Sequence, residues 1–464
     1  MKLRCFLKKW YVLGAALSLA LALSGCMFAV SPDDLFALPK LPEEYVDLET
    51  EIDGLLKSGY EYAAPTEGEN IQMVQMVDLD GDGTDEALAF LRRTGDIKPL
   101  RIVIFQQSEE GYHIAAEIQE SGTSIERVEY QDLNGDGSQE LIVSWSIVSA
   151  DGGKNGAIDE TAGERALSSV VTVYSLDRYN ERKILDTSAN YYTITDLDKD
   201  GAPELILISG GPSGTCNAMA YQWNAGAMEL VSAVKLSVLP AALDEVRVGG
   251  LSDGQQALFV TGRVNDQNLM TDILVWRDRV LVNCTMDEQT GMSRLVYRDA
   301  SVRARDINKD GALELPIAYE LPKLSSEDPS YWGINWTSFA DDGEGQVVET
   351  TYHNLSDGWY LVLPESWKDT IMITDVALSV GERAVTFGVY QGDAAPLEIL
   401  TIYTETGDSR EYKATKGERF VLARQATTVY AAEFLPGSAD WEGAMSEDAL
   451  REAFHMVQAE WYLK

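Results

Sequence analysis

The sequence predicts a mainly β protein assembled from repeated four-stranded antiparallel units, followed by a small α+β domain. Three observations carry that prediction. A nine-residue acidic pattern recurs four times, starting at residues 78, 132, 196 and 306. Each copy lies between two runs rich in apolar and β-branched residues, such as Ile71–Val77 before the first and Glu140-Leu141-Ile142-Val143-Ser144-Trp145 after the second. Strand, short loop, strand is a hairpin. The steps between copies are 54, 64 and 110 residues, and a period of about 55 residues holds four short strands with their turns.

The doubled last step predicts a hidden copy near residue 250. It is found at Gly249–Ala257, where Asp253 and Gly254 keep the fifth and sixth positions of the pattern. Position 1 has become Gly249, position 3 Leu251 and position 9 Ala257, so the hairpin is expected to persist without its acidic side chains. The five units place strands at 71–77, 85–92, 100–106 and 112–118; at 125–131, 139–147, 169–176 and 179–186; at 191–195, 203–209, 217–224 and 228–236; at 244–250, 256–263, 270–276 and 279–284; and at 300–305, 312–319, 331–338 and 344–351. One such unit cannot bury both of its faces. Radial packing of neighbours solves this and shields the strand edges, which is the logic of a β-propeller. About five blades are expected, with six or seven left open.

The loops carry a chemical message. Positions 1, 3 and 5 are Asp or Asn throughout: Asp78, Asp80 and Asp82; Asp132, Asn134 and Asp136; Asp196, Asp198 and Asp200; Asp306, Asn308 and Asp310. Position 6 is always Gly, where the chain must turn sharply. Position 7 varies among Thr84, Ser138, Ala202 and Ala312, as expected if its backbone carbonyl is the group in use. Position 9 is always Glu: Glu86, Glu140, Glu204 and Glu314. Carboxylates, amide oxygens and a carbonyl are the ligands a calcium ion takes, so about four Ca2+ ions are expected. Position 12, where an EF-hand needs a bidentate Glu, is Ala89, Val143, Leu207 and Ile317, which excludes that reading.

These loops resemble those of the FG-GAP, or VCBS, family of calcium-binding propeller repeats, as in integrin α-subunits and many bacterial surface proteins. The resemblance covers residues 60–350. It implies a propeller with calcium between the first two strands of a blade, and a binding role rather than catalysis.

The N-terminus adds an address. Lys2, Arg4, Lys8 and Lys9 precede an apolar run from Trp10 to Leu23, which ends in Leu23-Ser24-Gly25-Cys26. The run is short for a membrane span and reads as a secretory signal over 1–25. Its end resembles a bacterial lipobox, which implies lipidation of Cys26 and an extracytoplasmic chain anchored to the bacterial cell membrane. Residues 26–59 then form a tether and a short helix, with Tyr45, Leu48, Ile52, Leu55 and Leu56 on one face and Gly59 at its end.

The formal net charge is −38, and the signal removes four cations and no acids. Nucleic acid is therefore an improbable partner, because no basic stripe offsets the repulsion. Cys216 and Cys284 are the cysteines left beyond Cys5 and Cys26, and their positions leave open either a disulfide or two separate thiols.

Residues 351–464 lack the acidic pattern. The stretch 354–367 reads as a strand ending in Pro364 and Trp367, further strands are expected at 371–377, 383–390, 397–403 and 427–434, and an amphipathic helix over 446–461 with Ser446 as its N-cap and Leu450, Phe454, Val457 and Trp461 on one face. The stretch from Gly358 through Trp359 and Tyr360 to Leu363, Pro364, Glu365, Ser366 and Trp367 faintly resembles the entry strand of PsbP/Mog1-like domains. The other reading of this region is one or two degenerate blades closing the ring.

An enzyme is hard to place. The three histidines, His113, His353 and His455, have no metal-binding spacing, and no nucleotide loop or nucleophile elbow is present. The expectation is a monomeric, non-enzymatic binding or scaffold module for a protein or glycan. The alternative is an exported carbohydrate-active hydrolase, which needs only two acids at the right separation. The ligand face is expected opposite the acidic loops, on the longer connections at 149–168, 210–218 and 321–336, with Tyr331, Trp332 and Trp336 as anchors.

Overall fold

The computed structural model describes residues 45–148, 167–210, 215–239 and 242–458. The signal, most of the tether with Cys26, the connection at 149–166, Gly211–Gly214 and Trp461 lie outside the described residues.

The chain is mainly β and forms successive antiparallel sheets. Helix α1, Val46–Lys57, comes first, with Asp47 and Glu49 in its first turn and Lys57 in its last. These charges complement the helix dipole. Gly59 follows at φ +98°, a conformation that ends the helix without a Cβ penalty.

The first sheet holds β1 (Glu61–Tyr62), β2 (Val74–Val77), β3 (Glu86–Arg92), β4 (Leu100–Ser108) and β5 (Gly111–Glu120). Both β1 and β2 pair with β3, one after the other along its length. The second sheet is a four-stranded meander of β6 (Ser124–Gln131), β7 (Glu140–Val148), β8 (Leu167–Ser175) and β9 (Arg182–Ser188). The third repeats it with β10 (Tyr191–Thr195), β11 (Glu204–Gly210), β12 (Cys216–Asn224) and β13 (Ala227–Leu236).

The fourth unit starts alike, with β14 (Leu243–Gly250), β15 (Gln256–Arg263), β16 (Asn268–Arg277) and β17 (Val280–Asn283). A small hairpin of β18 (Met286–Asp287) and β19 (Met292–Ser293) then returns the chain, and β20 (Leu295–Arg298) pairs with the free half of β16. One further pair, Arg298 with Ala318, joins β20 to β21 (Leu315–Glu320), which continues into β22 (Trp332–Phe339), β23 (Gly345–Asn354) and β24 (Trp359–Val362).

The expected strand over 300–305 is not formed. Ser301 is left-handed at φ +57°, and its N–H is taken by the Asp299 carboxylate at 2.7 Å. That local turn breaks the strand and leaves a single bridge between Arg305 and Glu314.

The last sheet runs β25 (Ile371–Ser379), β26 (Glu382–Val389), β27 (Leu397–Thr406), then β29 (Thr428–Phe434) with β28 (Phe420–Arg424) at its edge. Helix α2, Arg410–Ala414, lies between β27 and β28. The expected C-terminal helix is shorter than its periodicity suggested. Ser446 caps α3, Glu447–Ala453, by accepting from Ala449 N, but the chain then extends as β30, Phe454–Met456. Leu361 of β24 pairs with Phe454, so this member of the expected helix face is used for a strand on the fifth unit, while Leu450 stays on α3.

The apolar cores lie between consecutive sheets. Phe90, Ile102 and Ile104 of the first meet Val143 and Trp145 of the second. Ile142 and Val173 of the second meet Leu205 and Leu207 of the third, whose other face meets Leu258, Val260 and Leu274 of the fourth. Phe259 and Ile273 meet Leu315 and Phe339 of the fifth, and Tyr352, Trp359 and Leu361 there meet Phe387, Ile399 and Ile402 of the last sheet. The outer face of the first sheet is covered by Leu48 and Ile52 of α1. Cys216 is buried and Cys284 half-buried, and both are free thiols.

Candidate metal centres

Three acidic loops join paired strands, β2 to β3, β6 to β7 and β10 to β11, and the fourth precedes β21 with only the Arg305–Glu314 bridge across it; the sequence builds the turn the same way each time. The residue at position 2, Leu79, Leu133 or Leu197, is buried at the edge of the core between sheets. This anchors the start of the loop. The Glu at position 9 opens the second strand and is buried: Glu86, Glu140, Glu204 and Glu314 are 0–2% exposed. Its Oε2 accepts the N–H of position 2 at 2.9 Å in loops one, two and three, and at 3.0 Å in loop four.

The Asp at position 1 closes the turn. Its Oδ2 accepts the N–H of the position-6 Gly at 2.9 Å in Gly83, 2.9 Å in Gly137, 3.0 Å in Gly201 and 2.9 Å in Gly311. Position 5 accepts from the N–H of position 7 at 2.7–2.9 Å in every copy. These bonds point the loop oxygens at a common centre. The position-6 glycines have φ between +89° and +94°. Position 4 is also left-handed, as Gly81, Gly135, Lys199 and Lys309 at φ +74°, +75°, +57° and +64°. That second requirement was not legible in the repeat, because lysine fills it in two copies.

The donor set fits a hard cation. In loop three one oxygen each from Asp196, Asp198, Asp200 and Glu204 lie within 4.8 Å of one another, and in loop one the same holds for Asp78, Asp80 and Glu86. Loops two and four carry Asn134 and Asn308 at position 3, whose amide oxygens are equally hard donors, but their three acids are not drawn that close together. Without a cation, such crowding penalises the ionised acids. Burial, helped by the neighbouring aspartates, pushes Glu140 and Glu314 up to about 7 and raises Glu86 and Glu204 as well. A bound divalent cation reverses that penalty.

Further side chains crown three of the four position-9 acids, one of them from within its own loop and two from outside. The Tyr179 hydroxyl, from the turn after β8, lies 2.9 Å from both Asp80 Oδ2 and Glu86 Oε1 and donates its proton to the pair. Asn134 Nδ2 donates to Glu140 Oε1 at 2.9 Å, and Gln222 Nε2 donates to Glu204 Oε1 at 2.7 Å. Glu314 Oε1 has no hydrogen-bond partner among the described residues. Tyr179 was not singled out from the sequence, because it lies 93 residues from Glu86 and only the fold brings them together.

The hairpin at 249–257 keeps the two strands but closes in a shorter turn, with Gly249 paired to Ala257 and Gly250 to Gln256. Leu251 is 2% exposed and Ala257 0% exposed, and both belong to the apolar core. A Cβ on Gly249 would stand 2.5 Å from the Leu313 side chain, so no Asp fits at position 1.

The proposed ligand-face anchors divide. Trp336 is a correction: it is fully buried, with Nε1 donating to Thr351 Oγ1 at 2.9 Å. Alternation along β22 puts its side chain into the core with Ile334, away from any partner. Tyr331 is half-buried against the core of the last sheet. Trp332 is half-buried with the Arg298 guanidinium over its ring, 4.0 Å from the centroid. Both line a cavity of about 290 Å³ with Arg298, Ser330, Tyr352 and His353.

No protein-family model matches the chain. No curated protein is similar to it. Among solved structures, the exotype rhamnogalacturonan lyase YesX superposes with a TM-score of 0.29 at 12% identity, over 69% of this chain and 64% of that one. A Bacillus licheniformis rhamnogalacturonan lyase gives 0.27 at 12% identity over 80% and 72%. An exo-β-1,3-galactanase from Phanerochaete chrysosporium gives 0.26 at 11% over 78% and 82%. The chain thus spans under two thirds of the first lyase's length, and likeness at these scores carries no functional argument.

Proposed function

We propose that this protein is a calcium-clamped module of β-propeller type that is lipid-anchored through Cys26 outside the cell and binds a partner rather than transforming one. The observation that carries the reading is the fourfold recurrence of one loop geometry around a buried carboxylate. A Glu that is 0–2% exposed in four separate hairpins, each with the same backbone partner, is a repeated device. Buried carboxylates persist where they are paired or coordinate a metal. Calcium is the hard cation suited to oxygen donors in a flexible loop, and its extracellular concentration is in the range where such modules work.

The partner, a protein or glycan, is placed on the edge remote from the acidic loops, where Tyr331 and Trp332 line a cavity. Titration of the metal-free protein with calcium should saturate at about four ions. Saturation at none would remove the proposal. Trp332→Ala should weaken capture on a glycan array or of a surface protein without lowering the melting temperature, and turnover of any captured glycan would contradict a purely binding role.

A further inference from the structure

Loop four differs from its siblings in what stands over it. The strand residue facing the position-9 Glu, read by continuing the register of the second and third strands, is Gln222 in the third unit and Ser338 in the fifth. Gln222 reaches Glu204, whereas the shorter Ser338 hydroxyl donates to Gln346 O at 3.4 Å. Asn308, unlike Asn134, turns its amide to Asp310 Oδ2 at 2.8 Å rather than to its own Glu. The Glu314 carboxylate is therefore 0% exposed with one oxygen hydrogen-bonded to Ile307 N and the other without a hydrogen-bond partner among the described residues. Burying half a carboxylate unmatched is unfavourable unless something else satisfies it.

The space beside this loop is also different. Loops one and two share a cavity of about 200 Å³, closed in by Leu176, Asp177 and Arg178. Loop four opens into a cavity of about 710 Å³, within the size range of small-molecule sites. Its walls include Arg305, Lys309, Glu349, Tyr360 and His455. The His455 imidazole is exposed and ends a stack in which Tyr360 lies between His353 and His455, at 5.0 Å from each. Arg305 and Lys309 bring positive charge to the rim of an otherwise acidic loop.

We propose that loop four is a ligand-bearing cation site, in which the ion keeps an open position toward this cavity and is completed by a carboxylate from outside the chain. The inference rests on the calcium reading and adds to it that one of the clamps is also a receptor. Calcium takes six to eight oxygens, more than the loop's side chains and one carbonyl supply, so the balance comes from water or ligand. The guanidinium of Arg305 and the ammonium of Lys309 favour an anionic oxygen donor over a neutral one. The carboxylate belongs to a sugar acid or to an acidic peptide side chain.

The test is calorimetric titration of the full chain. Calcium is titrated first, to fix the number of ions and show that Glu314→Gln loses one. The calcium-loaded protein is then titrated with D-glucuronate, with N-acetylaspartate and with D-glucose as the neutral control. Either carboxylate should bind in calcium and not in chelator, and the stronger of the two names the source. Binding should weaken by about tenfold or more in Glu314→Gln and persist in Glu204→Gln. Lys309→Glu, an exposed change outside the ligand positions, should weaken it several-fold with the calcium count intact, which keeps the test valid if Glu314→Gln fails to fold. Calcium binding without carboxylate binding, or binding indifferent to both variants, overturns this site and leaves the calcium reading standing. Absence of calcium binding overturns both.

Discussion

The hairpins at 196–204 and 249–257 take the same place in their units and close by opposite means: Thr195 is the last residue paired, with Glu204, before the acidic turn, whereas pairing runs on through Gly249 with Ala257 and Gly250 with Gln256 in the other. In the first, charge organises the turn: Asp196 takes the N–H groups of Asp200 and Gly201, and Glu204 takes that of Leu197. In the second, the backbone closes on itself, with Leu251 N donating to Gln255 O at 2.8 Å and Gly254 N to Leu251 O at 2.9 Å. Neighbours secure it further, since Ser252 N donates to Phe339 O and Leu313 N to Gly250 O. Leu251 and Ala257 fill with carbon the place that acids occupy elsewhere. What the two copies share is a strand connection whose centre must be filled. Packing supplies it where the next unit presses close, and a cation is proposed to supply it where the acids converge.

The contrast can be broken by paired substitutions. In calcium, Asp196→Ala should destabilise by roughly 3 kcal/mol, from a lost turn cap and a lost ion. Asp253→Ala, which removes one bond to Gln255 N, should cost about 1 kcal/mol or less. Equal losses in urea unfolding would end the distinction between the two kinds of hairpin.

The packed side of the comparison has its own titration. His353 is half-buried in the fifth unit, and desolvation, with the Arg305 charge, depresses its pKa from 6.5 to about 3. Its folded value lies below the unfolded one, so the unfolded chain binds more protons between them. Stability should be intact above pH 6.5 and fall at up to about 1.4 kcal/mol per pH unit as pH drops toward 3. His353→Phe should flatten that segment of the stability–pH curve. An unchanged slope would place the acid sensitivity elsewhere.

Glycines give a finer comparison. Gly81 has φ +74°, and a Cβ there would lie 2.4 Å from the Gly137 carbonyl oxygen of the next loop. Gly254 has φ +84° with nothing within 4 Å. Both alanine variants carry left-handed strain, but Gly81→Ala adds a clash between loops, so it should cost roughly 2 kcal/mol against about 1 for Gly254→Ala. Tyr179→Phe, which removes the hydroxyl over loop one, should likewise cost about 1 kcal/mol in unfolding experiments.

Much of this was legible in the sequence where local chemistry repeats. The acidic positions, the turn glycines and the strands on either side follow from residue type and period, and the acid-free copy followed from a doubled step. What was not legible depended on neighbours. The strand expected over 300–305 yields to a side-chain turn at Asp299, and the apolar spacing of Leu450 and Phe454 serves a helix and then a strand because β24 offers an edge. Trp336 read as a surface anchor although it falls in the strand expected over 331–338; β22 forms there, and only its packing shows that Trp336 faces the core with Ile334. Tyr179 and Gln222 reach their loops from distant strands, and no window of sequence contains both partners.

The central claim is that calcium holds the acidic hairpins. It is tested most directly by thermal unfolding of the full chain in millimolar calcium and in chelator. Each ion present at a hundredfold excess over its dissociation constant adds about 2.7 kcal/mol, so the chelated protein should melt well below the loaded one. The gap should shrink in Asp196→Ala and stay unchanged in Asp253→Ala. Coincident melts in calcium and chelator would contradict the account.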